Sequence, residues 1–422
     1  MNDHAGRREI GLDELSEYPT FDHCAINRDT DVWYAAFDRL RAQCPIGKSD
    51  EHGGFWVVNG FSEAYDVIHR PETFSNYPTS LPMFPQATRM IPLELDPPDH
   101  QRYRKLVAAP FSPRRAQSYA DSIRRYVNGL IDTFIEDGRS DVCQTIANPL
   151  PTLVATTALG LPAADAAKFD EWTYKIVHLA ISDFEAGAEA MLDLYTYFYA
   201  LLEERRANPG EDLMSLLVSS EFDGQRLNEE ELMGFCFVLV LASIDTTQRA
   251  LGSILMHLAR DPQLRQNLAA DPSKVPSAVE EFLRLYAPVN PARTATQDAE
   301  IGGQQIKAGD RILLLLGAAN RDGREFDRSG EFDPDRITNR HLAFGASIHR
   351  CLGSHIVRVE LRVLIEELLR RIPDFEIEDE ALVEWSSGQV QGVTRLPVRF
   401  TPGQRTSTEV LVLRDLQRST MS

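Results

Sequence analysis

Apolar positions along this chain recur mostly at helical spacing. The pattern is helical from His100 to about Tyr286, and a helix is predicted again from about Leu352 to Arg371. β-like runs are short. Gly54-Phe55-Trp56-Val57-Val58 leads into a turn at Asn59-Gly60 and then helical spacing through Val67 and Ile68. Strands are predicted from Ile301 to Ile306 and from Arg311 to Leu316, with further β-like segments near 374–400. Residues 75–99 mix proline and polar residues with Leu81, Met83, Phe84, Met90 and Ile91. A loop of that length in a compact protein is a candidate lid.

The longest predicted helix runs from about Asn228 to Arg260. Asn228 with Glu231 three residues later forms a capping box, and Asp261-Pro262 ends the run. Phe235 to Ala242 is apolar on every side, so this part is expected inside the protein. Ser243, Asp245, Thr246 and Thr247 then interrupt it. A buried carboxylate is costly unless bonded. Asp245 therefore either emerges into solvent, pairs with Arg249, or marks a polar notch facing a cavity.

Composition narrows the field. The 422 residues carry 44 Lys+Arg against 63 Asp+Glu, a net charge of -19, which excludes a nucleic-acid binder built on clustered cations. Five widely spaced cysteines without a CxxC exclude a disulfide framework or a Cys-rich zinc site. No apolar run approaches the roughly 18 residues of a membrane-spanning helix, and the first twenty residues lack the apolar core of a signal peptide. The expectation is a soluble, cytoplasmic protein with no membrane insertion. No repeat or linker divides it, so one large domain over 1–400 is expected, with a polar, disordered tail over 401–422.

Candidate chemistry centres on Phe344-Gly345-Ala346-Ser347-Ile348-His349-Arg350-Cys351-Leu352-Gly353, which joins a glycine-containing turn to a helix. A thiolate at such a place receives unpaired backbone N–H groups and the positive end of the helix dipole. Glycine lets the backbone approach a flat ligand closely. A cysteine prepared as an anion suits either a nucleophile or an axial ligand of haem.

At these residues the chain resembles the cytochrome P450 family, and the resemblance covers nearly its whole length. The family's FGxGxHxCxG is matched with Ser347 where glycine is usual. Its E-x-x-R occurs as Glu281-Phe282-Leu283-Arg284, and Phe332-Asp333-Pro334-Asp335-Arg336 is similar to its meander motif. The acid–alcohol pattern of its central helix stands as Ala242-Ser243-Ile244-Asp245-Thr246-Thr247, with Ser243 replacing glycine. The implied fold is mainly α with small β-sheets, holding haem b between a long central helix and a cysteine loop.

The resemblance implies the following roles. Cys351 is the axial thiolate on haem iron. His100, Arg104, Arg293 and His349 neutralise the haem propionates. Glu281, Arg284 and Arg336 form a structural ion network. Asp245 and Thr246 deliver protons during O2 activation, since an uncontrolled water supply would release hydrogen peroxide instead. The serines at 243 and 347 bear on the helix bend and on the cysteine-loop backbone.

Pocket candidates are Met83, Phe84, Thr88, Met90, Val238, Leu241, Ala242, Val289, Gln389 and Val390. They suggest an apolar pocket with Thr88 or Gln389 as polar anchors. The implied reaction is insertion of one atom of O2 into a small-to-medium apolar substrate, terpenoid-like by its similarity to camphor-type members. Electrons would come from NAD(P)H through a ferredoxin reductase and ferredoxin. Arg102, Arg104, Lys105, Arg114, Arg115, Arg350, Arg358 and Arg362 offer a local basic dock for the acidic ferredoxin. Competing readings are a peroxygenase or isomerase on the same haem-thiolate, a non-catalytic haem sensor, and a cysteine hydrolase.

Overall fold

The computed structural model describes residues 11–25, 30–83, 86, 88–222 and 224–406. In chain order the helices used below are α1 (Thr30–Gln43), α2 (Phe61–Ile68), α3 (Asp99–Ala108), α4 (Pro113–Ser118) and α5 (Ala120–Asp132). They continue with α6 (Ala166–Val177), α7 (Phe184–Ala207), α8 (Glu229–Arg260), α9 (Val275–Leu285) and α10 (Ser354–Arg371). The strands are β1 (Ile46–Ser49), β2 (Phe55–Val58), β3 (Phe74–Ser75), β4 (Ala292–Ala295) and β5 (Ala299–Ile301). The rest are β6 (Gln304–Ile306), β7 (Arg311–Leu314), β8 (Glu384–Ser386) and β9 (Gly392–Arg395). Helices dominate and the sheets are small, as expected. Among the described residues no helix is long and apolar enough to cross a membrane.

Two compact units make up the chain, each from three stretches. One takes residues 1–83, 249–351 and 376–398; the other takes 84–248, 352–375 and 399–422.

The first unit is built on a five-stranded sheet ordered β1-β2-β7-β4-β3. β7 runs parallel to β2, with Leu313 opposite Val57, and antiparallel to β4, with Ile312 opposite Arg293. Val58, Ile312 and Leu314 bury their side chains with Ala64, Val67 and Ile68 of α2. That period-2 strand face against a helix stripe explains why the short β runs were legible in sequence. The predicted strand from Ile301 to Ile306 is instead a hairpin, β5 and β6, folded at Gly302-Gly303 with φ of 53° and 83°. β7 also ends earlier than predicted, because Leu316 opens a short helix, Leu316–Ala319.

In the second unit α10 packs against α4 and α5, and α6 packs against α7. Arg371 on α10 pairs with the buried carboxylate of Asp132 on α5 at 2.5 Å. Asp132 also accepts from the backbone N–H and the hydroxyl of Thr406, at 3.0 Å each. Burial alone would raise the Asp132 pKa; these bonds outweigh it and hold the pKa below its ordinary value. Thus residues up to 406 are tied down, and 407–422 lie outside the described residues.

α8 follows its sequence prediction closely. The N–H of Asn228 donates to Glu231 at 2.7 Å, and the N–H of Glu231 donates to the Asn228 side chain at 2.9 Å, which is the reciprocal capping box. The loop ahead of α3 is pinned to this helix, since Ile91 N–H donates to the carbonyl of Gly234 at 3.2 Å. A Cβ at position 234 would stand 2.4 Å from the Arg89 carbonyl, so this approach requires glycine.

Candidate active site

In the first unit, the cysteine loop is a turn closed by Cys351 N–H donating to the Phe344 carbonyl at 2.8 Å. Gly345 and Ser347 both sit in the left-handed region, at φ 62° and 57°. The Ser347 substitution therefore leaves the loop with a glycine-like backbone, at the cost of holding an L-residue where few settle. Cys351 is exposed, whereas Cys24, Cys143 and Cys236 are buried and Cys44 is half-buried. Burial raises the Cys236 thiol pKa far above its ordinary value, so that sulfur stays a thiol packed in the core. Accessibility thus selects Cys351 as the sulfur donor for an iron cofactor, and its donor chemistry fits a haem thiolate. α10 opens at Ser354, so Leu352 and Gly353 separate the cysteine from the helix that sequence placed directly beside it.

The same unit holds the ion network that the resemblance implied. Arg284 binds Glu281 with two bonds, Nε at 2.8 Å and Nη2 at 2.7 Å. Arg336 adds Nε–H bonds to the same carboxylate at 3.1 and 3.2 Å. Asp333 N–H and Asn339 complete its shell, at 3.0 and 3.1 Å. The remaining Arg284 donors go to the carbonyls of Asn320, Ser329 and Glu331. Glu281 and Arg284 are both buried. Burial pushes the Glu281 pKa up, but the Arg284 bonds and charge prevail and lower it. Removing one partner of such a pair costs about 3–5 kcal/mol, because the other charge stays buried.

Arg293 is a buried residue of β4 whose Nη1 donates to the Ala292 carbonyl at 2.8 Å. His349 lies in the short turn Ser347–His349. Val289 and Val390 face each other across an isolated β-bridge. Gln389 is buried beside them; its amide NH2 donates to the Thr79 carbonyl at 3.1 Å, while its Oε1 has no partner among the described residues. Met83 is 54% exposed. Phe84 lies outside the described residues.

In the second unit, Asp245 is 1% exposed and its Oδ1 accepts from His178 Nε2 at 2.9 Å. Asp245 is therefore a buried acid bonded to a histidine, and it does not emerge into solvent. His178 follows the C-terminus of α6, 67 residues before Asp245, and no local pattern announces it. Thr246 donates its hydroxyl hydrogen to the Ala242 carbonyl at 2.8 Å. Its oxygen lone pairs remain to accept, so it can orient a water rather than give up its own proton. Ser243 bonds the Leu239 carbonyl and Thr247 the Ser243 carbonyl in the same way, so α8 carries three back-bonded hydroxyls between 243 and 247.

Val238 and Leu241 are buried one turn earlier, Met90 is buried, and Ala242 is exposed. Thr88 shares a hydrogen bond with the Tyr195 hydroxyl at 2.9 Å. His100 and Arg104 lie on α3 one turn apart. Burial, reinforced by the Arg104 charge, lowers the His100 pKa to about 4.

A family model described as cytochrome P450 matches residues 66–382. The chain is 35% identical to cytochrome P450 monooxygenase PikC of Streptomyces venezuelae, over 88% of this chain and 92% of that one. It is also 35% identical to a steroid C26-monooxygenase of Mycobacterium tuberculosis, over 87% and 94%. Among solved structures, Mycobacterium marinum cytochrome P450 CYP268A2 in complex with pseudoionone is similar at a TM-score of 0.81 and 29% identity, covering 88% of this chain and 95% of that one.

Proposed function

We propose, from the premise that this chain belongs to the cytochrome P450 family, that its residues Cys351, Asp245, Thr246 and His178 carry the O2 chemistry of a haem monooxygenase. The protein is a monooxygenase, and its cofactor is haem held on a cysteine thiolate. Bound haem supplies the site where O2 is reduced and split, one atom entering the substrate and the other leaving as water with two electrons and two protons.

Cys351 would be the sulfur donor, and His100, Arg104, Arg293 and His349 would hold the anionic edge of the cofactor. Asp245 passes protons inward through Oδ1 and Oδ2, its position set by His178. Thr246 accepts a hydrogen bond from the water that carries the proton on, with its own hydrogen committed to Ala242. The observation that carries this reading is the buried Asp245–His178 pair one residue from Thr246. A buried, specifically held carboxylate fits proton relay better than a solvated surface charge does.

The substrate is a small-to-medium apolar molecule, terpenoid-like in size, carrying at least one hydrogen-bond donor. Apolar Val289 and Val390 beside the unsatisfied acceptor of Gln389 support that chemistry. Relatives named for a steroid and solved with pseudoionone support its apolar character. Electrons come from NAD(P)H through a reductase and an acidic ferredoxin. That ferredoxin docks where α4 and α10 pack together, since Arg114 and Arg115 are exposed there and Arg358 and Arg362 are half-buried.

Two variants test the chemistry in protein reconstituted with redox partners. Cys351→Ala should lose the red-shifted absorption of the reduced carbon monoxide complex; an unchanged spectrum would remove Cys351 from the iron. Thr246→Ala should keep that spectrum and keep consuming NADH while product falls and hydrogen peroxide rises. Unchanged product per NADH would sink the relay.

A further inference from the structure

In the first unit, three consecutive residues, Asp22, His23 and Cys24, meet His52 from the turn between β1 and β2. One candidate ligand atom from each lies within 4.8 Å of all the others. The nearest pairs are His52 Nε2 with Asp22 Oδ1 at 2.7 Å and Cys24 Sγ with His23 Nε2 at 3.5 Å. The two imidazoles meet edge-on with centroids 5.6 Å apart. His23 and Cys24 are buried, Asp22 is half-buried, and His52 is exposed, so the cluster opens to solvent on one side only.

The surrounding chain holds these groups in place. Asp22 Oδ1 accepts from Cys24 N–H at 2.8 Å. Ser49 donates to the Phe21 carbonyl at 2.8 Å, and Asp50 N–H to the Pro19 carbonyl at 3.0 Å, which fastens the first segment to the end of β1. Phe55 presents an apolar wall to both histidines, with centroids at 5.7 and 6.3 Å. The Leu81 carbonyl, 2.6 Å from His23 Nε2, takes an N–H from that ring. A metal on that Nε2, the nitrogen 3.5 Å from Cys24 Sγ, would take the place of this bond.

We propose that Asp22, His23, Cys24 and His52 form a zinc site that clamps the segment before α1 to the β1–β2 turn. Two imidazoles, one thiolate and one carboxylate are the borderline-soft N, S and O donors that suit Zn2+, whereas Ca2+ and Mg2+ take oxygen. Bonds of about 2.0–2.3 Å in a tetrahedron place ligand atoms roughly 3.3–3.8 Å apart. The separations here bracket that range, and closing the widest takes a shift of roughly 1 Å. Binding releases the Cys24 thiol proton and moves the hydrogens of His23 and His52 off their Nε2 atoms, with no change of oxidation state. The site involves none of the residues assigned to O2 chemistry, so it is structural.

The test uses tag-free, haem-loaded full-length protein stripped with a chelator and then titrated with zinc. Elemental analysis should find one zinc per chain beside one iron, and competition with a chromophoric chelator should give a Kd below the micromolar range. Zinc should raise the melting temperature of the parent. His52→Ala, a change at an exposed position, and Cys24→Ser should each weaken zinc binding by more than the roughly 10–100-fold that loss of an outer contact costs. The reduced carbon monoxide spectrum should not change, which separates this outcome from failure of the haem assignment. Zinc bound only at millimolar levels, or equally by the Cys24→Ser/His52→Ala double variant, would overturn the proposal.

Discussion

At the scale of single residues, the side chains that matter most here are those whose partners lie far away in sequence. His178 is one. Removing it leaves Asp245 buried without the donor that positions Oδ1, so His178→Ala should slow O2-dependent turnover at least several-fold while the carbon monoxide spectrum persists. His178→Gln restores an N–H donor and should recover part of the rate. Equal rates for Ala and Gln would reduce His178 to packing. Ser347 is a second case: it occupies φ 57° at the cysteine loop. Ser347→Gly relieves a left-handed L-residue worth roughly 1–2 kcal/mol, less the added flexibility of glycine in the unfolded chain. Its expected result is a melting temperature equal to or above the parent, and a clear loss of stability would show that the serine side chain supports the loop.

At the scale of elements, α10 carries a group that its apolar stripe conceals. Glu360 lies between Ile356 and Leu364 at one-turn spacing, buried to 2%, with no partner for Oε1 among the described residues. Burial raises its pKa from 4.5 to about 8. Between those values the folded state keeps a proton that the unfolded chain has released, so stability falls as pH rises from about 5 to about 8. Glu360→Gln removes this dependence. It should match the parent near pH 5 and exceed it by a few kcal/mol above pH 8, on the order of 1.4 kcal/mol for each pH unit that separates the folded and unfolded pKa values. Melting curves at the two pH values measure the difference; an identical gap at both would mean that Glu360 is ionised in the fold.

For the whole molecule, opposite pH dependences should combine into a stability maximum. The pKa values of Glu281 and Asp132 are held down by Arg284 and by Arg371 with Thr406, one network in each unit. Their contributions are complete above the ordinary carboxylate range and disappear as pH falls through the lowered folded-state values. Acid should therefore weaken both units, and Glu360 should weaken the protein on the alkaline side, leaving the highest melting temperature near pH 5–6. The net charge of -19 bears on electron delivery as well. Under the proposed docking, an acidic ferredoxin would meet general repulsion except at the arginines of α4 and α10. Rising salt and Arg114→Glu should each slow ferredoxin-supported reduction while peroxide-driven turnover stays constant. Salt-independent reduction would place the dock elsewhere.

Periodicity and local chemistry were enough to read much of this from sequence alone. The capping box and apolar run of α8, the strand before Asn59-Gly60, and the Glu281–Arg284 spacing each depend on neighbours a few residues away. Such short-range terms are written along the chain. The family resemblance added the cysteine loop and the acid–alcohol pair. What the tertiary structure alone decided are pairings across long separations. They include His178 with Asp245, Asp132 with Arg371 and Thr406, the approach of Arg89 to Gly234, and the gathering of Asp22, His23 and Cys24 with His52. The hairpin at Gly302-Gly303 was missed because a continuous run of β-like residues does not say where it reverses. The physical reason is common to all of these. Local preferences act over one or two turns, whereas a buried polar group takes its partner from whichever segment packing brings within about 3 Å.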